Sequence, residues 1–158
     1  MAENDIKILA FLCLKWGYGG ADMAGTIRAQ YPSSLRTVLV PCTGRVDSDV
    51  VMRSFGRGAD GVLIVGWYPK ECDYEIGNYF AYRLSEYLDE VLKAIGLEPE
   101  RIRMEFCSSA EGSKFRDVAI SFDETIRKLG PNPLRAQDGT SKKKSKKWNT
   151  MCYLMILS

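Results

Sequence analysis

The sequence predicts an α/β fold: a single domain of about four parallel strands with helices on both faces, flavodoxin- or Rossmann-like, followed by a C-terminal extension. Four apolar runs of strand length alternate with segments of helical character. Such strand–helix–strand units close as right-handed crossovers that leave the strands parallel. The second and third runs are rich in Val, Ile and Leu with little polar alternation, as in strands covered on both sides. A length of 158 residues suits one domain with one sizeable core.

The first strand is expected near 5–13, ending in IKILAFLC, and the first helix over Ala21–Gln30. RTVLVPC, near 36–42, gives the second strand. Asp47 is placed to cap a helix running to Gly56, and Gly58 to stop it. GVLIVG at 61–66 is the third strand, followed by the loop Trp67–Cys72 and a long helix over Glu75–Ile95 that Gly96 ends. The fourth strand, near 101–107, closes on IRMEFC, and a last helix over Glu111–Leu129 ends at Gly130-Pro131. A strand order of 2-1-3-4 would open a crevice at the switch point between strands one and three. Residues 1–130 thus form the domain. Residues 131–158 hold a linker, a lysine-rich run and the short apolar segment WNTMCYLMILS.

Charge is uneven along the chain. The net +2 combines +5 in residues 131–158 with −3 in residues 1–130, so the body gives no sign of nucleic-acid binding. Lys142, Lys143, Lys144, Lys146 and Lys147 read as a solvated tail. The apolar end has three readings: packing on the body, docking on a partner, or disorder. The start MAENDIK lacks the basic-then-apolar signature of a signal peptide. Apolar runs such as ILAFLCL fall short of the roughly 20 residues a membrane span needs. A cytoplasmic protein without a membrane partner is expected.

Chemistry centres on cysteine, because the chain has no histidine. Cys13, Cys42 and Cys107 close strands one, two and four, and Cys72 follows the third. In a parallel sheet those ends share one edge, the usual ligand edge. Cys13, Cys42 and Cys72 lie about 30 residues apart, the length of one βα unit, which puts each at an equivalent corner. Iron–sulfur clusters commonly take four thiolates; buried cysteines also serve as plain filling. Structural zinc is disfavoured by the lack of a C-x-x-C pair, and a Ser-His-Asp or Cys-His catalytic set is excluded. Gly17-Tyr18-Gly19-Gly20 could cradle a phosphate or form a tight strand-to-helix turn, and its spacing favours the turn. Asp22 and Asp60 read as capping or turn residues. Tyr74, Tyr79, Tyr82 and Tyr87 read as packing or interface.

Several segments resemble one family in unbroken order: GGADMAGTIRAQYP, CTGRVD, GADGVLIVG, Pro69 with Cys72, YEIGNYFAYR, and GLEPERIRMEF followed by SSAEGSKF. Over residues 11–130 the chain is similar to the delta subunit of methyl-viologen-reducing hydrogenase. The resemblance implies a [2Fe–2S] protein that docks on the flavin and iron–sulfur subunit of heterodisulfide reductase. Such subunits pass electrons there from a donor such as a hydrogenase or formate dehydrogenase, in flavin-based electron bifurcation, and are not catalytic alone. It implies Cys13, Cys42 and Cys72 as cluster ligands; Cys107 is not a typical family position, though its place at a strand end keeps it available as a fourth. It also implies further thiols where this chain has Trp16 and Trp67, and histidines where it has Tyr68 and Asp73. Three readings follow: a cluster completed by a substitute ligand, a cluster lost and its volume filled by indoles, leaving a structural adaptor, or recoded positions, since selenocysteine occurs in the family.

Overall fold

The computed structural model describes residues 6–137. Its regular elements are β1 (Ile8–Cys13), α1 (Gly17–Thr26), β2 (Leu35–Val40), α2 (Ser48–Gly56), β3 (Gly61–Gly66), α3 (Gly77–Ala94), β4 (Ile102–Phe106) and α4 (Gly112–Leu129). Short 3-10 turns occupy Thr43–Arg45, Pro99–Arg101 and Pro133–Gln137. The lysine run and the apolar C-terminal segment lie outside the described residues.

The four strands form one parallel sheet in the order β2-β1-β3-β4, as expected. The composition of the strands explains it. Every residue of β1 and β3 is buried, so these two take the centre. β2, expected from sequence to be covered on both sides, instead exposes Arg36, Thr37 and Leu39, and β4 carries Arg103 and Glu105, so these two take the edges. Pairing is in step: Ile8 opposes Leu35 on one side and Gly61 on the other.

Strand parity then divides the core. Ile8, Ala10 and Leu12 join Leu63 and Val65 under α1 and α4, with Phe115, Phe122 and Ile126. Leu9, Phe11, Val62 and Ile64 face α2 and α3, with Val51, Phe55, Leu88 and Leu92. Each fully buried side chain of this size contributes about 1.5–3 kcal/mol, so both layers are needed.

Asp47 caps α2, its Oδ1 accepting from the Val50 amide at 2.8 Å, and Gly58 ends that helix at φ +97°. The first helix differs from expectation. It begins at Gly17 rather than Ala21, so Gly17-Tyr18-Gly19-Gly20 is its first turn. Close approach is the reason: a Cβ on Gly17 would lie 2.4 Å from the Val65 carbonyl oxygen, and one on Gly20 2.9 Å from Cys107 Sγ. Packing here outweighs glycine's poor helix propensity of about 1 kcal/mol. Asp22 sits inside this helix, where its backbone carbonyl accepts from Thr26 Oγ1.

Beyond Gly130 the chain still packs on the body. Asn132 is buried and its Nδ2 donates to the carbonyls of Phe55 and Ala59. Asp60, also buried, organises this corner by accepting from the amides of Lys7 and Asn132 and pairing with Arg135. None of the described helices is long and apolar enough to cross a membrane.

Candidate functional site

β1, β2 and β3 end side by side, and the segments that leave them meet in one cleft at the carboxyl edge of the sheet. Cys13, Trp16, Cys42, Trp67 and Cys72 line it, with Lys15 and Asp73 paired at 3.1 Å across the rim. The open space between them is about 20 Å³, room for a water molecule and little more.

The indoles account for that small volume. Trp16, at the N-cap of α1, stacks on Trp67, the first residue after β3, with centroids 3.8 Å apart and planes 17° from parallel. Trp16 Nε1 is buried and has no hydrogen-bond partner among the described residues. Trp67 is held from below by Asn78, whose Nδ2 donates to the carbonyls of Trp67 and Tyr68 at 2.9 and 2.8 Å. Sequence reasoning missed Asn78. A polar residue within YEIGNYFAYR carries no signal that it turns inward.

The sulfurs divide into two pairs. Cys42 and Cys72 are partly exposed, with Sγ atoms 4.0 Å apart above the first residue of α3. A Cβ on Gly77 would lie 2.2 Å from Cys42 Sγ and 3.5 Å from Cys72 Sγ, so glycine leaves the space they share. Burial raises the Cys42 thiol's pKa, the Gly44 amide opposes that, and neighbouring Cys72 and Cys13 add to it. Cys13 is buried and accepts from the Gly17 amide at 3.2 Å. That amide therefore faces a sulfur rather than an open anion cradle.

Cys107 lies on the opposite face of the sheet, among Ala21, Ala24 and Phe115, its thiol directed to the carbonyls of Ser108 and Glu111. Burial first, and then the Glu111 carboxylate, push that thiol from 9.0 to about 11. An unfolded chain gives up this proton near 9.0, so between there and about 11 the unfolded state binds fewer protons and stability falls as pH rises. Unfolding midpoints measured across that window should decline, and Cys107→Ser should remove part of the decline.

Beside the cleft, Tyr68 Oη lies 3.0–3.1 Å from both Glu111 carboxylate oxygens and accepts from Lys114 Nζ at 2.7 Å. The Ser108 amide and Tyr68 hold the Glu111 carboxyl below its usual range. Asp73 pairs with Lys15 on the rim. Both residues thus have structural partners at the positions the resemblance assigns to histidine.

As a donor set for a [2Fe–2S] cluster these residues fall short of four thiolates. Three cysteines line the cleft, two indoles offer iron no lone pair, and Cys107 faces away. Among the described residues no three His, Cys, Asp or Glu side chains are grouped so as to hold a metal ion.

Comparison with known proteins places this chain in a family. The family model described as methyl-viologen-reducing hydrogenase, delta subunit, matches residues 8–130. The chain belongs to that family. Among its relatives, the iron-sulfur subunit of the F420-non-reducing hydrogenase vhu of Methanococcus maripaludis is 43% identical over 129 residues, 82% of this chain and 96% of the relative. The subunit of the same description from Methanocaldococcus jannaschii is 44% identical over 133 residues, 84% and 99% of the two chains. A third relative is a subunit of the Ferredoxin/F(420)H(2)-dependent CoB-CoM heterodisulfide reductase of Methanosarcina acetivorans. It is 39% identical over 124 residues, 78% of this chain but 16% of that much longer protein. The family's domain therefore occurs both as a separate chain and within a larger one.

Proposed function

We propose that this delta-subunit family member is an adaptor in a redox-enzyme complex. It joins a hydrogenase, formate dehydrogenase or similar donor to a flavin-bearing subunit of heterodisulfide-reductase type, and carries no iron–sulfur cluster of its own. The observation that carries the cluster-free reading is the Trp16–Trp67 stack, which occupies the cleft lined by Cys13, Cys42 and Cys72. The relative in which a similar domain is part of a longer heterodisulfide reductase chain supports the partner.

α3 supplies a surface for that contact. It buries Asn78, Ala81, Ser85, Leu88 and Leu92 and turns Tyr79, Phe80 and Tyr87 outward, with Tyr74 and Ile76 exposed just ahead of it. Exposed aromatics at i and i+7 of one helix face suit a docking patch. The variant Phe80→Glu/Tyr87→Glu should weaken binding to the purified flavin-bearing subunit by about 30-fold or more, the loss expected for aromatic anchors. Its circular dichroism and unfolding midpoint should stay near the parent's. Binding within a few-fold of the parent would remove this face from the interface.

One observation favours a second reading, electron transfer through a [2Fe–2S] cluster on Cys13, Cys42, Cys72 and a further ligand: the similar hydrogenase subunits are described as iron–sulfur proteins. Iron and acid-labile sulfide analysis of the full chain, purified anaerobically, separates the two. The adaptor reading expects neither element. Stoichiometric iron and sulfide would overturn it in favour of electron transfer.

A further inference from the structure

Two of the four described cysteines are enclosed and two are accessible. Cys13 and Cys107 are buried, and Cys107 is further disabled by a thiol that stays protonated to about 11. Cys42 and Cys72 are partly exposed, 30 residues apart in sequence and 4.0 Å apart at sulfur. Two features favour their joining. The floor between them is Gly77, where a Cβ would collide with Cys42 Sγ. Cys72 belongs to the irregular segment between β3 and α3, whose backbone can follow a sulfur more readily than a strand can. The Trp16–Trp67 stack occupies the cleft beside them, and buried Cys13, which accepts from the Gly17 amide, is the other sulfur nearby.

We propose that Cys42 and Cys72 form a reversible dithiol–disulfide couple, a two-electron site that exchanges with small disulfides. The Cys72 thiolate attacks one sulfur of the small disulfide, after losing its proton to solvent, and expels one thiolate. Cys42 then loses its proton, attacks Cys72 Sγ of the mixed disulfide and expels the second thiolate. Both departing thiolates take up a proton. Two protein thiols are oxidised, one small disulfide is reduced to two thiols, and no metal takes part. The proposal rests on the cluster-free reading above, since iron on these sulfurs would occupy them.

The full chain, reduced with dithiothreitol and desalted anaerobically, is incubated with oxidised glutathione and mapped by non-reducing peptide mass spectrometry. A Cys42–Cys72 linked peptide is expected, reversed by dithiothreitol. Cys13→Ser and Cys107→Ser should keep it. Cys42→Ser should instead leave a glutathione adduct on Cys72, and Gly77→Ala should slow closure while leaving Cys72 reactive. Stable adducts on both Cys42 and Cys72 of the parent, unreactive thiols at both, or a link to Cys13 would each overturn the proposal. Iron is measured on the same sample. Iron that blocks the link defeats this proposal together with the cluster-free reading, whereas iron-free protein without the link defeats this proposal alone.

Discussion

Asp60→Ala is expected to destabilise the fold by about 3–5 kcal/mol, mainly by stranding backbone donors. Asp60 is fully buried, its Oδ1 accepts from the Asn132 amide and its Oδ2 from the Lys7 amide, each at 2.8 Å, and Oδ2 lies 3.1 Å from Arg135 Nη1. Alanine leaves two amides without an acceptor, each costing about 1–3 kcal/mol. Arg135 is 30% exposed and can turn toward water, so the ion pair is the smaller part of the loss. Asp60→Asn keeps the shape and one acceptor oxygen, so its cost should be about half as large. Urea unfolding with an unchanged slope checks both values. An alanine variant within about 1 kcal/mol of the parent would show that solvent replaces these bonds.

The same corner shows what sequence can convey. Asp60 reads from sequence as a capping or turn residue; it stands at a bend ahead of β3 and is fully buried. Its partners are 53, 72 and 75 residues away, and no local pattern encodes them. The strand order was only partly accessible: GVLIVG has no face to give to solvent and takes the centre, whereas RTVLVPC, which reads from sequence as a strand covered on both sides, lies at the edge. The start of α1 was hidden because glycine argues locally against a helix. The deciding contact, Gly17 against the Val65 carbonyl, is tertiary.

The site was legible to a similar degree. βα spacing brings Cys13, Cys42 and Cys72 to one edge, and one cleft holds all three. The same reasoning puts Cys107 at that edge without revealing its face. Parity decides it: Val65 pairs with Glu105 and points toward α1 and α4, so Cys107, two residues on, follows it there. Trp16 and Trp67 are 51 residues apart in sequence. Their stack depends on α1 starting at Gly17, which was the feature the sequence hid.

Trp16→Cys/Trp67→Cys is expected to create a cluster site in a chain proposed above to lack one. Indole is a donor only, its nitrogen lone pair being part of the ring, and it cannot ligate iron. Two thiolates at these positions would bring the cleft to five with Cys13, Cys42 and Cys72, enough for the four that a [2Fe–2S] cluster takes. Removing the stack also opens the volume that holds the cleft near 20 Å³. The cost is lost aromatic packing, about 3–5 kcal/mol for a fully buried Trp truncated to Ala and less here because both indoles are partly exposed. Anaerobic reconstitution with ferrous iron and sulfide should give the double variant visible absorbance with matching iron and sulfide, and give the parent neither. Trp16→Ala/Trp67→Ala separates the two effects, since it opens the cleft without adding ligands. If it remains colourless, missing thiolates keep the parent cluster-free; if it loads, the indoles act by occupying space and three cysteines with a further ligand suffice. Loading of the unaltered chain would return it to the iron–sulfur role by which its relatives are described.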